Sequence, residues 1–299
     1  MNPWKKRALE AGKLMDETWA KAMRLVEERR ARGDHRPCLV DKLLDQYQAQ
    51  SFPMTQHAFQ NLLGEILEGG SDTASSQLLT LILALAKHPE VQRKAWLEID
   101  AVCKCDRSPT WSDFDKLQYI NCIVKEGMRW RPVGPLGLPH RVRQDDYYEG
   151  QLIPKDSTIF IPVWALHHSE QFGFYDPEKF DPDRYLDYPN PAYHYAGSPD
   201  YNKRDHYGYG AGRRLCPGIH LGERMQWPVI AKLLWAFEFS EPIDQKTGET
   251  ISLDADAYTI GLVHAPLPFA VTIKPRSQGH IETIKRETPA AWEILRPWE

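Results

Sequence analysis

The chain has 299 residues, of which 42% are hydrophobic and 26% charged, the composition of a soluble globular protein long enough for one large domain or two ordinary ones. Its formal net charge of −4 argues against a nucleic-acid partner. It opens Met1-Asn2-Pro3-Trp4-Lys5-Lys6-Arg7 and holds no apolar run of about twenty residues, so neither a signal peptide nor a transmembrane segment is expected within it.

Residues 4–32 carry Leu14, Trp19, Met23 and Val26 at helical intervals among charges, which predicts an amphipathic surface helix in preference to a nucleic-acid or membrane-binding arm. His35-Arg36-Pro37 breaks it. A short helix is expected over 39–47, then a loop through Gln50-Ser51-Phe52-Pro53, with Thr55 as the cap of the next helix. There the apolar residues recur as Phe59, Leu62, Leu63, Ile66 and Leu67, and again as Leu78, Leu79, Ile82, Leu83 and Leu85. This predicts one long, largely buried helix over 59–87, roughly 40 Å at about 1.5 Å per residue. Gly69-Gly70-Ser71-Asp72-Thr73 interrupts the pattern. Two glycines inside a helix cost about 2 kcal/mol relative to alanine, and a local opening there would free a carbonyl and leave Asp72 and Thr73 facing a pocket. A kink with a Ser/Thr back-bond is the alternative.

Lys87-His88-Pro89 closes that helix and opens another bearing Val91, Ala95, Leu97 and Ile99. The five cysteines, Cys38, Cys103, Cys105, Cys122 and Cys216, are an odd number without disulfide-framework spacing and suggest a reducing compartment. Cys103-Lys104-Cys105 would need further ligands to hold zinc. After a helical turn near Trp111, residues 117–130 predict a helix with Leu117, Ile120, Ile123 and Val124 inward. On it Glu126 and Arg129 stand three apart on one face. Prolines 132, 135, 139, 154 and 162 exclude a long helix downstream, where Gln151-Leu152-Ile153 and Thr158-Ile159-Phe160-Ile161 read as strands. Residues 188–203 form a meandering loop that leads into Asp205-His206-Tyr207.

The next stretch, Tyr209-Gly210-Ala211-Gly212-Arg213-Arg214-Leu215-Cys216-Pro217-Gly218, puts one cysteine at a glycine-loosened turn before a helix. That helix carries Ile219, Leu221, Met225, Val229, Leu233 and Leu234. Pro217 suits a first helical position, so Cys216 is expected at the N-cap, where the helix dipole favours a thiolate. Gly210 and Gly212 let the backbone approach something flat. Arg214, two residues before Cys216 in an extended approach, would share its side and meet an anion. Residues 251–253 and 269–273 look like closing strands, and 276–299 form a polar tail, docked weakly or not at all.

The aromatic-x-x-Gly-x-Arg-x-Cys-x-Gly pattern resembles the haem-thiolate loop of the cytochrome P450 monooxygenases. Tyr209 stands where that family usually has Phe. Three more segments match it in order: Gly-Gly-x-Asp-Thr at 69–73, Glu-x-x-Arg at Glu126 and Arg129, and Pro-x-x-Phe-x-Pro-x-Arg ending at Arg184. The resemblance spans about residues 39–274 and implies a mainly α fold with small β-sheets, the C-terminal part of the cytochrome P450 fold. The implied layout is a partial domain over 1–275 (distal helix about 59–87, Glu-x-x-Arg helix about 117–130, haem-thiolate loop 209–218) and a tail over 276–299.

It further implies haem b (iron protoporphyrin IX) with Cys216 as axial iron ligand and Tyr209, Gly210, Gly212 and Gly218 shaping the loop. His140 and Arg214 would face the haem propionates, with Arg141 as a substitute for His140. Thr73 would hydrogen-bond oxygen on the distal side, with Asp72 passing protons. Glu126, Arg129 and Arg184 would form a structural triad locking the Cys216 loop, and residues 133–138 would lie near substrate. The implied reaction puts one atom of O2 into a small apolar organic substrate, in fungal secondary metabolism, with electrons from NADPH through NADPH-cytochrome P450 reductase. Full-length members are typically anchored in the endoplasmic reticulum membrane, facing the cytosol, with further helices before the distal one. The alternatives are an impaired haem-binding remnant and a non-catalytic interaction module.

Overall fold

A computed structural model describes residues 2–49, 53–170 and 175–298; most of the expected loop at 50–53 lies outside them. The chain divides into two compact units, residues 1–71 and 72–299, the division falling within one helix.

In the first unit, α1 (Pro3–Ala31) and α2 (Leu39–Gln48) precede the start of α3 (Gln56–Lys87). Met23, Leu44 and Phe59 are its buried apolar centre, and Tyr47 stacks on Phe59 with centroids 4.3 Å apart. The buried Asp41 carboxylate takes bonds from Arg29 at 2.8 Å, Arg30 at 2.9 Å and the Arg36 N–H at 2.7 Å. Burial opposes its charge, yet these donors prevail and hold its pKa well below the usual carboxylate range. Thr55 caps α3 by accepting from the Ala58 N–H at 3.2 Å.

The expected opening at 69–73 is absent: α3 is helical throughout. The Ser71 hydroxyl donates to the Leu67 carbonyl at 2.7 Å, and Ser75 to that of Asp72 at 3.2 Å. These local bonds accompany an intact helical backbone, as in the back-bond alternative. Burial also differs from expectation, since residues 65–73 are exposed while 80–86 are mostly buried.

The second unit packs the rest of α3 with α4 (Pro89–Val102), α5 (Gln118–Trp130) and α8 (Ile219–Ala236). On α4, Val91, Ala95 and Ile99 face inward at helical spacing, whereas Leu97 is exposed. A 3-10 turn at Trp111–Lys116 is fixed by a Thr110/Asp113 capping box. Arg107 holds Asp113 through two 2.7 Å bonds and brings its pKa to about 2. Helix α5 is the centre of the unit: every residue from Tyr119 to Trp130 is buried, so the inward stripe read from sequence was only part of its packed surface. A Cβ on Gly127 would lie 2.5 Å from Leu81 Cδ2 and 2.6 Å from Gln77 Nε2, a close approach that only glycine permits. On α8, Trp227, Ile230, Leu234 and Trp235 are core while Leu221 is exposed.

Among the described residues, three two-stranded antiparallel sheets complete the unit. Strand β1 (His140–Arg141) pairs with β4 (Thr158–Ile159), β2 (Asp146–Tyr148) with β3 (Gln151–Ile153), and β5 (Phe237–Ser240) with β6 (Thr272–Pro275). Residues 251–253 and 160–161 are not strand. Short helices α6 (Val163–His167) and α7 (Tyr193–Ala196) sit in the proline-rich stretches. The tail is not a loose segment: α9 (Gln278–Leu295) begins with a Ser277 cap. Its Thr283 bonds the Cys105 carbonyl at 2.6 Å, and Glu287 takes the Ser108 hydroxyl at 2.6 Å. No helix among the described residues is long and apolar enough to cross a membrane.

Candidate functional site

Glu126 and Arg129 lie on the same face of α5, and neither side chain is exposed to solvent. Arg129 donates Nε to Glu126 Oε2 at 2.7 Å and Nη2 to Oε1 at 2.8 Å, a two-bond fork. Burial works against the Arg129 charge, but the Glu126 contact outweighs it and raises the pKa further. Arg184, which follows Pro182 in a 3-10 turn, brings Nε to 3.5 Å from Glu126 Oε1. The Asp181 N–H adds a 2.7 Å bond to the same oxygen. Glu126, Arg129 and Arg184 are therefore brought together. Arg129 also donates to the carbonyls of His167 at 3.1 Å, Pro177 at 2.8 Å and Lys179 at 3.0 Å. One buried guanidinium thus ties three backbone points to α5.

The Cys216 loop is built differently from expectation. Gly218, not Cys216, is the N-cap of α8, and Pro217 lies outside the helix. The approach is also not extended, because Gly212–Arg214 form a 3-10 turn, so side-chain alternation does not place Arg214 with the sulfur. Gly210 and Gly212 have φ of +79° and +64°, the left-handed conformation that favours glycine. The Cys216 N–H closes the loop onto the Tyr209 carbonyl at 2.9 Å. Tyr209 and Leu215 pack against Ala192, Ala196 and Ile219. The Tyr209 hydroxyl is buried, and burial pushes its pKa far above the usual tyrosine range.

The thiol of Cys216 is half-buried and makes no hydrogen bond among the described residues. A Cβ on Gly218 would come within 3.8 Å of its Sγ. Arg213 and Arg214 are exposed and carry no ion pair among the described residues. His140, half-buried in β1, pairs through its backbone register with Ile159. Arg141 is instead engaged with Asp156 at 2.8 Å. Asp72 and Thr73 occupy the exposed stretch of α3.

A soft sulfur donor on a side-chain-poor turn, with uncommitted cations beside it in sequence, fits an iron porphyrin carrying carboxylates.

Four buried groups near this loop were not singled out from sequence. Lys125 forms an ion pair with Asp205 at 3.0 Å, with both side chains almost wholly buried. It also donates to the carbonyls of Tyr188 at 2.9 Å and Asn190 at 2.8 Å. Burial lowers its pKa, and Asp205 only partly offsets this. His167, fully buried, accepts the Tyr207 N–H on Nε2 at 2.8 Å. Burial, with the charges of His206 and Arg129, keeps its pKa well below the ordinary value. The fourth is Glu223 on α8. No local pattern marks these groups, because distant segments bury them. The one visible hint was the Asp205-His206 pair preceding the loop.

Comparison with known proteins follows the same lines. The cytochrome P450 family model matches residues 1–270. The chain is 50% identical over 292 residues to the cytochrome P450 monooxygenase patI of Aspergillus clavatus, covering 98% of this chain and 54% of that protein. It is 45% identical to acuD of Aspergillus aculeatus, a protein of the same description, with 98% and 54% covered. Among solved structures, a zebra fish cytochrome P450 with abiraterone superposes with a TM-score of 0.71 at 27% identity, over 90% of this chain and 60% of that one. The fold and these matches define a portion of the cytochrome P450 architecture, and the chain belongs to the cytochrome P450 family. It spans about half the length of the curated relatives it matches.

Proposed function

We propose that this chain supplies the thiolate-bearing part of a haem-thiolate monooxygenase that inserts one oxygen atom of O2 into a small apolar organic substrate, in fungal secondary metabolism. The observation that carries this reading is the half-buried Cys216 thiol, free of hydrogen bonds among the described residues, on a glycine turn packed against α8. Similarity to fungal monooxygenases supports the reaction class.

Cys216 would hold the iron, with Gly210, Gly212 and Gly218 keeping side chains off the loop and Tyr209 anchoring it. Arg214 and His140 would hold the haem propionates. When bound, haem b supplies O–O bond cleavage, which a cysteine thiolate favours by pushing electron density to iron. Asp72 would hold a proton on its carboxylate and pass it by way of the Thr73 hydroxyl. Glu126, Arg129 and Arg184 keep the loop in place. NADPH-cytochrome P450 reductase delivers the electrons, and the whole protein is anchored at the endoplasmic reticulum membrane, facing the cytosol. Residues 1–275 form the catalytic-domain portion and 276–299 its tail.

The test is a reduced carbon-monoxide difference spectrum of the purified chain supplied with haem. A thiolate-type Soret band that Cys216→Ala abolishes is the expected result. No such band, or one that survives the substitution, overturns the ligand assignment.

A further inference from the structure

The Glu126–Arg129–Arg184 cluster and the Cys216 loop come from different parts of the chain, and the hydrogen bonds of the cluster among the described residues go to Glu126 and to the carbonyls of His167, Tyr175, Asp176, Pro177 and Lys179. A path between them runs through one side chain. The Arg129 guanidinium donates to the backbone carbonyl of His167, the last residue of α6. The ring of His167 then accepts the Tyr207 N–H at 2.8 Å. From Tyr207 the chain closes on itself: its carbonyl accepts the Gly210 N–H at 2.9 Å, and the Tyr209 carbonyl accepts the Cys216 N–H at 2.9 Å.

We propose that His167 is the positioning residue that transmits the rigidity of the buried Glu126–Arg129 fork to the loop presenting Cys216. This deepens the reading of Cys216 as a ligand and rests on it only for its functional meaning. Because the bond's donor is a backbone N–H, Nε2 must be the unprotonated ring nitrogen. Without this acceptor the Tyr207 N–H would lose the bond that His167 gives it. His206 beside it accepts the Gly208 N–H in the same way at 3.1 Å, whereas His167 also meets the Arg129 guanidinium through its carbonyl, so His167 links the two.

The hydrogen bond is measurable in the unaltered, haem-free chain. A scalar coupling across it between the Tyr207 amide nitrogen and His167 Nε2 is expected in nitrogen-15 NMR; its absence from an assigned spectrum overturns the proposal. Amide hydrogen exchange gives the mechanical readout. His167→Phe, which keeps a flat ring without an acceptor, should speed exchange at Tyr207 and Cys216 about fivefold to tenfold, the loss of one net hydrogen bond. Amides of α4 should be unaffected. His167→Gln, whose side-chain oxygen reaches close to the Nε2 position, should restore most of the protection. Unchanged exchange in His167→Phe, or no rescue by His167→Gln, assigns the residue to packing alone and overturns the proposal. If His167→Phe does not fold, the coupling in the unaltered chain decides. A positive coupling together with a carbon-monoxide band indifferent to Cys216→Ala would keep the positioning role and remove the ligand.

Discussion

Glu223 carries its carboxylate into the buried face of α8, where it accepts the N–H groups of Ala192 and, at 3.4 Å, Tyr193. Burial outweighs those donors and raises its pKa from the ordinary 4.5 to about 7. Between those values the folded chain binds more protons than the unfolded one, so stability falls as pH rises through that window. The contribution is fully present below about 4.5 and lost above about 7. Glu223→Gln should flatten this decline and leave the variant more stable than the parent at pH 8 by on the order of 1–3 kcal/mol. Urea midpoints at pH 5 and pH 8 check it, and parallel profiles for both proteins would refute it. Cys216, Glu126 and Arg129 drew notice in the sequence because each sits in a local motif. Glu223, Lys125 and His167 did not, since their burial depends on segments that only the folded chain brings over them.

The crossing of α3 and α5 turns on Gly127. Alanine there would gain about 1 kcal/mol of helix propensity, but its Cβ would enter the space of Leu81 and Gln77, and overpacking of that kind costs about 1–3 kcal/mol. The second effect should win, giving Gly127→Ala a lower melting temperature; a rise would mean that Gln77 swings away at no cost. The helices expected over 4–32, 59–87 and 117–130 were readable from their 3.6-residue periodicity, and each lies within a few residues of those bounds, whereas α9 was not foreseen. Irregular segments were less readable. Strands β1 and β2 are too short and exposed for alternation to mark them, and Gly69-Gly70 looked like a break because propensity alone ignores the local side-chain bonds around it. Cys216 was expected at the N-cap because Pro217 suits a first helical turn; here the turn at 217–218 intervenes.

Across the second unit, the C-terminal segment shows how polar contacts can dock an element with little apolar burial. His280 and Thr283 are the buried residues of α9. Around them, Glu287 accepts from the Ser108 backbone and hydroxyl, and Arg276 meets Asp100 at 2.7 Å. The polar composition read as a loose tail because periodicity registers apolar faces and misses such pairing. Removing residues 277–299 should therefore lower the melting temperature by several degrees, about 2 kcal/mol or more for the bonds lost. It should also speed alkylation of Cys105, whose sulfur lies against Gly279. Unchanged values for both would show that the helix contributes nothing. The Lys125–Asp205 pair acts over a shorter span of chain. Losing one member strands a charge in the interior, while replacing both by apolar side chains is often tolerated. Exchange at either position alone should therefore be costlier to the fold than exchange at both together, which makes the two distant codons one target for selection.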